Sequence, residues 1–300
     1  MSYHIPVLLS AGVEQLIGPS DGVYVDLTLG GGGHSRALLE ALGPGARLFC
    51  FDRDAEALAN APDDSRVQVV HANYRDLRQW LSYYGCEHVD GVIADLGVSS
   101  HHFDVAERGF SFQQDGPLDM RMGASSVLSA GDVVANYDEG QLADVLYRYG
   151  ELRESRRLAR AIVEGRGASP IVTTGALRAV VEGCLPPRAD RHKVLACVFQ
   201  ALRIEVNQEL ASLESMLGQL PDVVARGGRV VVISYHSLED RLVKNFLRAG
   251  NAEGKVSQDL MGRTDTPFRM LSKGIAKPSK EEIAGNSRAR SARMRVAERI

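Results

Sequence analysis

Long apolar runs are missing from this chain of 300 residues: none reaches eighteen residues, and the first residues lack the basic and apolar stretches of a secretory signal. We therefore expect neither a membrane protein nor a secreted one, and predict a cytoplasmic location. Internal repeats and low-complexity tracts are missing too. With 44% hydrophobic and 24% charged residues, the composition is that of an ordinary globular protein with one large domain or two smaller ones.

Cysteine is scarce as well. The chain has four cysteines, which lie far apart and form no CxxC pair: Cys50, Cys86, Cys184 and Cys197. Such spacing argues against a disulfide framework and against a zinc site. Three of the four lie within apolar runs, so we predict reduced, mostly buried thiols and no bound metal.

The small net charge of −3 hides a strong asymmetry along the chain. Residues 1–100 have 6 basic and 13 acidic side chains, whereas residues 151–203 have 10 basic and 5 acidic, and residues 269–300 have 9 and 3. Because clustered Lys and Arg attract phosphates, the two basic segments suggest an anionic partner. A solvated charged surface explains them equally well.

The first hundred residues alternate short apolar runs with helical patterns, which is typical of a parallel sheet covered by helices. The runs predict four strands, over residues 22–27, 47–52, 67–71 and 89–95. The next such run, residues 229–235, begins more than a hundred residues later. We therefore predict a Rossmann-like α/β domain formed by residues 1–103 and 207–300, with a mainly helical domain, residues 104–206, inserted between strands four and five.

Within the insert, a polar loop over about 97–126 precedes helical patterns. Asp138 with Gln141 matches a capping box at a helix start. Further helices are predicted over 151–164 and 174–184, and a steady apolar stripe predicts one long helix over about 192–217. We expect the polar tail from about residue 250 to be ordered only where it packs or binds.

A run of four glycines lies between Asp26, at the end of the first strand, and His34, at the start of the first helix after it. Backbone amides at a helix start face a ligand in such a turn, and glycine lets the ligand approach the main chain. Asp52, at the end of the second strand, can accept the hydroxyls of a ribose. Both nicotinamide dinucleotides and S-adenosylmethionine contain this ribose.

Two features favour S-adenosylmethionine. The dinucleotide fingerprint needs a third glycine where this chain has Arg36 or Leu38. Asp26 would also repel a pyrophosphate, whereas it suits the cationic amino group of a methionine moiety.

Asp95 ends the fourth strand and opens a turn. Since the carboxyl ends of parallel strands form the ligand crevice of an open α/β sheet, Asp95 would face the reacting centre with Asp26 and Asp52. Alternatively, Asp95 satisfies the amides of its own turn.

Several further runs are characteristic of one known family: HIPVLL (4–9), GGGHSR (31–36), DLGVSS (95–100), ERGFSF (107–112), DGPLDMRM (115–122), SYHSLEDR (234–241) and NSRARS (286–291). In these runs the chain resembles the MraW family of bacterial ribosomal RNA small subunit methyltransferases H, from the first residues almost to the last. The resemblance implies a class I methyltransferase domain. It also implies methylation of N4 of one cytidine in the decoding centre of 16S ribosomal RNA, with S-adenosylmethionine as donor and the RNA or the small ribosomal subunit as partner.

The family's cofactor contacts, carried over position by position, fall on Gly32, Gly33, His34, Asp52, Tyr74 and Asp95. His102 stands where the family has a glutamine, and an imidazole can also make one hydrogen bond there. Thr28 and the run of four glycines depart from the usual motif of such folds. We expect them to change the loop geometry without removing the site.

Cytosine N4 is a poor nucleophile because its lone pair is delocalised into the ring. Transfer needs the amine held in line with the sulfonium methyl and a group that takes the proton. We predict Asp95 near donor and N4, with Asp119, Arg121 and His236 shaping the cytosine pocket, and take Asp95, Asp119 and His236 as catalytic candidates. Many amino-methyltransferases have an Asp/Asn-Pro-Pro-aromatic turn where this chain has Asp-Leu-Gly-Val. His236 could equally be a packed histidine that fixes the turn after strand five.

A base must leave its stack to reach such a crevice, so the helical insert and the basic tail, with Arg288 and Arg290, would hold the flanking phosphates. Two alternatives stay open: an RNA-binding ribosome-assembly factor that keeps S-adenosylmethionine as a structural ligand, and a methyltransferase acting on a protein or small molecule. The sequence does not define the oligomeric state, and a homodimer is compatible with it.

Overall fold

A computed structural model describes residues 6–123, 126–256, 266–271 and 275–300. The chain divides into two compact units, one of Met1–Gly97 with Leu210–Ile300 and one of Val98–Glu209. We call them the sheet unit and the helical unit; the sequence-based division was at 103/104 and 206/207. His4 and Ile5 of the first family run, two residues of the predicted polar loop (124 and 125) and parts of the predicted tail (257–265 and 272–274) lie outside the described residues.

The sheet unit contains one seven-stranded sheet. Its strands are β1 (Val23–Asp26), β2 (Arg47–Asp52), β3 (Val67–His71), β4 (Val89–Asp95), β5 (Val224–Ser234), β6 (Phe268–Met270) and β7 (Arg293–Arg299), in the order β3-β2-β1-β4-β5-β7-β6. Strands β1 to β5 are parallel, and β7 is antiparallel to both β5 and β6. The Rossmann-like prediction and its first four strands are confirmed, and β5 begins at Val224, earlier than predicted.

Helices cover both faces of this sheet. They are α1 (Leu9–Leu16), α2 (Gly33–Ala41), α3 (Ala55–Leu58), α4 (Leu77–Tyr83), α11 (Glu209–Val223), α12 (Ser237–Ala249) and α13 (Lys280–Gly285). Successive strand residues point to opposite faces, so Tyr24 and Leu48 pack with α1 and α2, while Val25 and Phe49 belong to the core cluster that includes α4 and α11. This two-sided burial explains why the parallel strands are nearly continuous apolar runs.

The tail contains two strands, and β7 lies in the interior of the sheet. Arg295 of β7 is buried and makes two hydrogen bonds to Asp240 of α12, with donor–acceptor distances of 2.7 and 3.1 Å, and Arg293 adds a third at 3.0 Å. Burial acts to raise the pKa of Asp240, but the two arginines outweigh it and hold the pKa below its usual value. Part of the basic charge that the sequence assigned to RNA contact is therefore used inside the fold.

The helical unit follows β4 and precedes β5 in the chain. It consists of α5 (Ser100–Asp104), α6 (Ala130–Asn136), α7 (Glu139–Gly150), α8 (Ser155–Ala168), α9 (Thr174–Cys184) and α10 (Arg191–Asn207). Its core is one apolar cluster from these helices and from the segment around residues 110–122, with Leu142, Leu158, Leu177 and Val198 fully buried. The capping box of Asp138 and Gln141 is confirmed, since each side chain accepts the other's backbone N–H.

The prediction of one helix over 192–217 is wrong. Helix α10 ends at Asn207, and α11 begins at Glu209, because Gln208 between them adopts the left-handed conformation with φ 49°. The buried Asn207 side chain accepts a hydrogen bond from the Met122 N–H and donates to the carbonyl of Met120, which fixes the helix end. The apolar stripe continues across the break because both helices bury one face.

All four cysteines are free thiols, as predicted: Cys50 and Cys86 are buried, and Cys184 and Cys197 are half-buried. Burial raises the pKa of Cys50 to about 12. Over the part of the chain that the structure describes, no helix is both long and apolar enough to cross a membrane.

Candidate active site at the carboxyl ends of the strands

Three carboxylates of the sheet unit lie at the carboxyl ends of neighbouring parallel strands. Asp26 ends β1, Asp52 ends β2 and Asp95 ends β4, and β1 pairs directly with both of the other strands. They therefore share one rim of the sheet, where ligands of open α/β sheets bind. The glycine run follows β1 at the same rim and leads into α2.

The glycine loop has two residues in the left-handed region, Gly30 at φ 49° and Gly32 at φ 73°. A Cβ at Gly32 would lie 2.5 Å from the carbonyl oxygen of Asn60, and one at Gly33 would lie 2.1 Å from Pro6. These two glycines are thus required by the protein's own packing. At Gly30, by contrast, the nearest atom to a Cβ would be 3.9 Å away, which leaves space beside the main chain.

Hydrogen bonds to neighbouring segments hold this loop in place. The Asn60 side chain donates to the Gly30 carbonyl at 2.8 Å, and the Arg36 guanidinium donates to the carbonyls of Gly31 at 2.7 Å and Asn60 at 2.8 Å. The loop is therefore preorganised, and the first backbone amides of α2 point out of its helical turn, as at any helix start.

Asp52 links β2 to the glycine loop. One carboxylate oxygen accepts the N–H of Gly30 and the other accepts the N–H of Asp54, each at 2.9 Å. These bonds orient a carboxylate that is partly exposed at the rim. A carboxylate has about four acceptor positions, so this one can also accept ribose hydroxyls.

Asp26 points into the protein. Its side chain is 1% exposed, and its two oxygens accept the Thr28 N–H at 3.1 Å and the Ser35 hydroxyl at 2.7 Å. Burial raises the pKa of Asp26 to about 6. The suitability of Asp26 for the cationic amino group of a methionine moiety stays a prediction; within the protein, this carboxylate shapes the loop from inside.

Asp95 joins three segments of the rim. Its Oδ1 accepts the Tyr235 hydroxyl at 2.8 Å, its backbone N–H donates to Oγ1 of Thr28 at 2.7 Å, and its Oδ2 lies 3.9 Å from Nδ1 of His34. Burial raises the pKa of Asp95 to about 6, although His34 and Tyr235 act to lower it. With a side chain 21% exposed, Asp95 is both accessible and more basic than an ordinary aspartate.

His34 lies in the first turn of α2, and its side chain is buried. Burial lowers its pKa, so the imidazole is neutral at pH 7, although Asp95 opposes the shift. Among the described residues, its Nε2 has no hydrogen-bond partner. Because the ring points inward, a ligand in the loop would meet the backbone of residues 32–34 rather than this imidazole.

Tyr74 lies just after β3 on the same side of the sheet. It begins a 3₁₀ turn, Tyr74–Asp76, which Asn73 caps by accepting the Arg75 N–H at 3.0 Å. Tyr74 is half-buried. Four strand ends therefore contribute predicted cofactor residues to this rim.

His236 and Glu239 stabilise the turn after β5. His236 is the N-cap residue of α12, with Nδ1 3.5 Å from the Glu239 N–H and Nε2 3.2 Å from Oε1 of Glu239. The other oxygen of Glu239 accepts the Tyr235 N–H at 3.0 Å. This is the geometry of a packed histidine that fixes the turn, the second of the two interpretations of His236.

The helical unit contains three of the other predicted side chains, those of His102, Asp119 and Arg121. Asp119 and Arg121 form a bidentate pair, with a shortest distance of 2.6 Å. Burial acts to raise the pKa of Asp119, but Arg121 outweighs it and keeps the pKa low, which makes Asp119 a poor proton acceptor. His102 is buried; its Nδ1 lies 3.0 Å from the Ser99 hydroxyl and its ring lies against Phe110.

Arg288 and Arg290 are exposed on a 3₁₀ turn, Ser287–Ser291, of the sheet unit. The sheet unit therefore brings together the predicted residues of the glycine loop with Asp52, Tyr74 and Asp95. Sequence analysis missed Tyr235 and the hydrogen bond of Thr28. The only available signal for Tyr235 was its place beside His236 in the SYHSLEDR run, since a contact with a residue 140 positions away has no local pattern.

Comparison with known proteins adds a family to this geometry. The family model described as the MraW methylase family matches residues 1–300. A protein of Phocaeicola vulgatus named Ribosomal RNA small subunit methyltransferase H is 50% identical over 297 residues, covering 99% of this chain and 97% of that protein. A protein of the same name from Flavobacterium johnsoniae is 49% identical over 300 residues, covering 100% and 99%.

Proposed function

The chain belongs to the MraW methylase family, and from this premise we propose that it methylates the exocyclic N4 of one cytidine in the decoding centre of 16S ribosomal RNA. It is an enzyme that uses S-adenosylmethionine to methylate ribosomal RNA of the small subunit. The cytidine and its N4 are our proposal. The observation that supports them is a basic, accessible carboxylate, Asp95, beside a preorganised glycine loop.

The residues at the rim fit S-adenosylmethionine. Space beside the main chain at Gly30 and the amides at the start of α2 suit a polar methionine moiety, and the partly exposed Asp52 suits the ribose hydroxyls. We propose Gly32, Gly33, His34, Asp52 and Tyr74 as its contacts, together with Asp95 and, from the helical unit, His102. When bound, this donor supplies an electrophilic methyl group on a sulfonium.

Asp95 is the proposed proton acceptor. As N4 bonds to the methyl carbon and the carbon–sulfur bond breaks, N4 must lose one proton. The Tyr235 hydroxyl occupies Oδ1 of Asp95 at 2.8 Å, so we assign the proton to Oδ2. A pKa of about 6 leaves Asp95 mostly ionised at pH 7 and a better base than an ordinary aspartate.

The remaining predicted residues enter as substrate contacts. We propose that the helical unit recognises the RNA, that Asp119, paired with Arg121, borders the cytosine pocket, and that Arg288 and Arg290 bind flanking phosphates. His236 contributes to the cytosine pocket indirectly, because it caps α12 and stabilises the turn after β5. The partner is 16S ribosomal RNA or the small subunit, which implies a cytoplasmic enzyme. A homodimer is the proposed oligomer, and sedimentation at several concentrations tests it.

Asp95→Asn tests this function. Small subunits lacking the modification are incubated with labelled S-adenosylmethionine, and the labelled nucleotide is mapped. We expect wild type to label N4 of one cytidine and the variant to be slower by roughly 10²–10⁴-fold, because proton transfer by a positioned group contributes about that much. Calorimetry should show that the variant still binds S-adenosylmethionine.

Full activity of the variant would contradict the role of Asp95. Label at another atom or nucleotide would contradict the proposed target. RNA binding without any methyl transfer by wild type would instead favour an RNA-binding assembly factor.

A further inference from the structure

Four helix ends meet at one end of the helical unit. Helices α7 and α8 pack side by side and are joined by four residues, and α9 and α10, joined by six, pack on them. The Gln200 side chain of α10 donates to the carbonyl of Tyr149 at 2.9 Å, which ties α10 to the end of α7. Gln200 is the tenth residue of α10, and Glu205 accepts the Tyr137 hydroxyl before α7, so α10 runs antiparallel to α7 and its first half extends past the end of α7. Arg157 at the start of α8 interacts electrostatically with Cys184 at the end of α9, so the two connections lie on one surface.

This surface, residues 147–157 and 184–193, is strongly basic. Its seven cationic side chains are all exposed: Arg148, Arg153, Arg156, Arg157, Arg188, Arg191 and Lys193. The same two segments contain three carboxylates, Glu151, Glu154 and Asp190, which leaves an excess of four positive charges. We call it the basic end.

None of these seven cations forms an ion pair within the part of the chain that the structure describes. Other arginines of the helical unit do: Arg160 pairs with Glu139, Arg178 with Glu182 and Arg203 with Glu209. Asp190 is occupied as the N-cap of α10, where it accepts the Lys193 N–H. The cations of the basic end are thus not neutralised inside the unit.

Charge in this unit is segregated by position. At the opposite end of α10, Glu205 is accompanied by Arg203, which pairs with Glu209. Residues 132–141 and 164–175, at the opposite ends of α7, α8 and α9, contain four carboxylates and one arginine. That arginine, Arg166, donates to the carbonyl of Val134. A surface that only contacts solvent does not require positive charge to be concentrated at one end, whereas a surface that attracts a polyanion does.

Aromatic side chains lie beside these cations. Tyr147 is 62% exposed, and the guanidinium of Arg148 lies 5.7 Å from the centre of the Tyr149 ring. Exposed tyrosines and arginines are the side chains on which unstacked bases of single-stranded RNA stack.

We infer that the basic end binds the phosphate backbone of the RNA substrate, as a contact that adds affinity and takes no part in methyl transfer. This inference rests on the proposed function, which makes RNA the polyanion. Cations on three helices and two connections can contact several phosphates, and the exposed Tyr147 among them suits a single-stranded or bulged segment.

The test compares two variants with the same change in net charge. In one, Arg153, Arg156 and Arg157 become Gln; in the control, three exposed arginines elsewhere, Arg78, Arg178 and Arg226, become Gln. Binding to deproteinised 16S ribosomal RNA is measured over a range of salt concentrations. We expect Kd to rise roughly tenfold or more for the first variant, and the slope of log K against log salt to fall by about 2, since each lost phosphate contact removes about 0.7.

The Kd of the control variant should stay within about twofold of wild type, because charges outside the basic end act on the RNA only at long range. A second variant, with Arg188 and Arg191 replaced by Gln, approaches the same surface from the α9–α10 connection and should give a similar defect. In methylation of unmodified small subunits, we expect KM for the subunit to rise and kcat at saturation to stay unchanged.

Equal affinity of wild type and both basic-end variants, with circular dichroism showing that they are folded, would overturn the inference. Equal defects in variant and control would overturn it too, because only total charge would then matter. If wild type methylates and the variants bind RNA normally, the inference about the basic end is wrong and the proposed function is still supported. If the variants lose RNA affinity and wild type transfers no methyl group, the proposed function is wrong and RNA binding by the basic end is still supported.

Discussion

The hydrogen bond between Tyr235 and Asp95 is the contact that most directly sets the chemistry of the rim. It fixes Oδ1 of the carboxylate and acts to lower the pKa of Asp95, while burial raises it. Tyr235 itself is half-buried, and burial and the neighbouring Asp95 raise its pKa, so its hydroxyl stays a donor at neutral pH. Tyr235 is therefore a positioning residue for the proposed base.

Tyr235→Phe should raise the pKa of Asp95 further and leave its carboxylate less well oriented. We expect kcat to fall roughly tenfold at pH 7, since a hydrogen bond to a charged group contributes about 1.5–3 kcal/mol. The acid limb of the kcat profile should move to higher pH and part of the loss should recover above pH 8. A uniform loss at every pH would mean that the hydroxyl does not tune this carboxylate.

Stability should also depend on the ionisation of Asp95. Its pKa is about 6 in the folded protein against 3.8 ordinarily, so the folded state binds the proton more tightly than the unfolded state. The favourable contribution is complete below about pH 4 and is lost as the pH rises through 6. Relative to Asp95→Asn, the free energy of unfolding of wild type should therefore fall by roughly 1–3 kcal/mol between pH 4 and 7.

Urea unfolding of both proteins at several pH values gives this difference directly. Asn is a matched replacement, because its carbonyl can still accept the Tyr235 hydroxyl. Two stability curves that run parallel from pH 4 to 7 would show that Asp95 has an ordinary pKa in the folded protein.

At the scale of elements, β7 depends on a buried ion pair. Asp240 of α12 is bonded by Arg295 and Arg293, and removing one partner of such a pair leaves a buried charge uncompensated. Asp240→Asn should therefore lower the free energy of unfolding by about 3–5 kcal/mol. Asp222→Asn, which breaks the exposed pair with Arg78, is the matched control and should cost under about 1 kcal/mol.

Denaturant titrations of the two variants test this contrast. Similar small effects at both positions would mean that β7 is held by its ladder hydrogen bonds and apolar side chains rather than by Asp240.

Elements whose signal is local could be predicted from the sequence. Strands β1, β2 and β4 are buried on both faces, and with the less buried edge strand β3 they appear as apolar runs that end at a carboxylate or a turn. The capping box at Asp138 is visible in four residues. Strand β7 could not be recognised, because Arg293 and Arg295 suggest a solvated tail until Asp240 is known to face them. The break at Gln208 was hidden for the opposite reason: the apolar stripe passes through it.

The residues of the candidate site also differ in whether the sequence has a local signal for them. Positions of Asp52 and Asp95 follow from strand ends and could be predicted. The inward direction of Asp26 and the roles of Thr28 and Tyr235 could not, because each depends on which side chain the fold brings opposite. Family resemblance supplied residues such as Tyr74, for which the sequence has no physical pattern.

At the scale of the whole molecule, cofactor binding should be centred on the sheet rim, with His102 of α5 as the proposed contact from the helical unit. At a concentration of 100 Kd, S-adenosylmethionine should stabilise the folded state by about 2.7 kcal/mol. Hydrogen exchange should slow at residues 29–36, 52–54 and 95–97 and stay unchanged in α7 to α10. Protection that appears in α8 and α9 instead of the glycine loop would place the cofactor elsewhere.

The position of β7 between β5 and β6 also affects how the chain folds during synthesis. Residues 293–299 follow every other strand in the chain, yet they fill an interior place in the sheet. Until the ribosome has added them, one edge of β5 has no neighbouring strand, and an unpaired edge can pair with another chain. A nascent molecule of this enzyme is therefore vulnerable to aggregation until residues 293–299 have been synthesised and have paired.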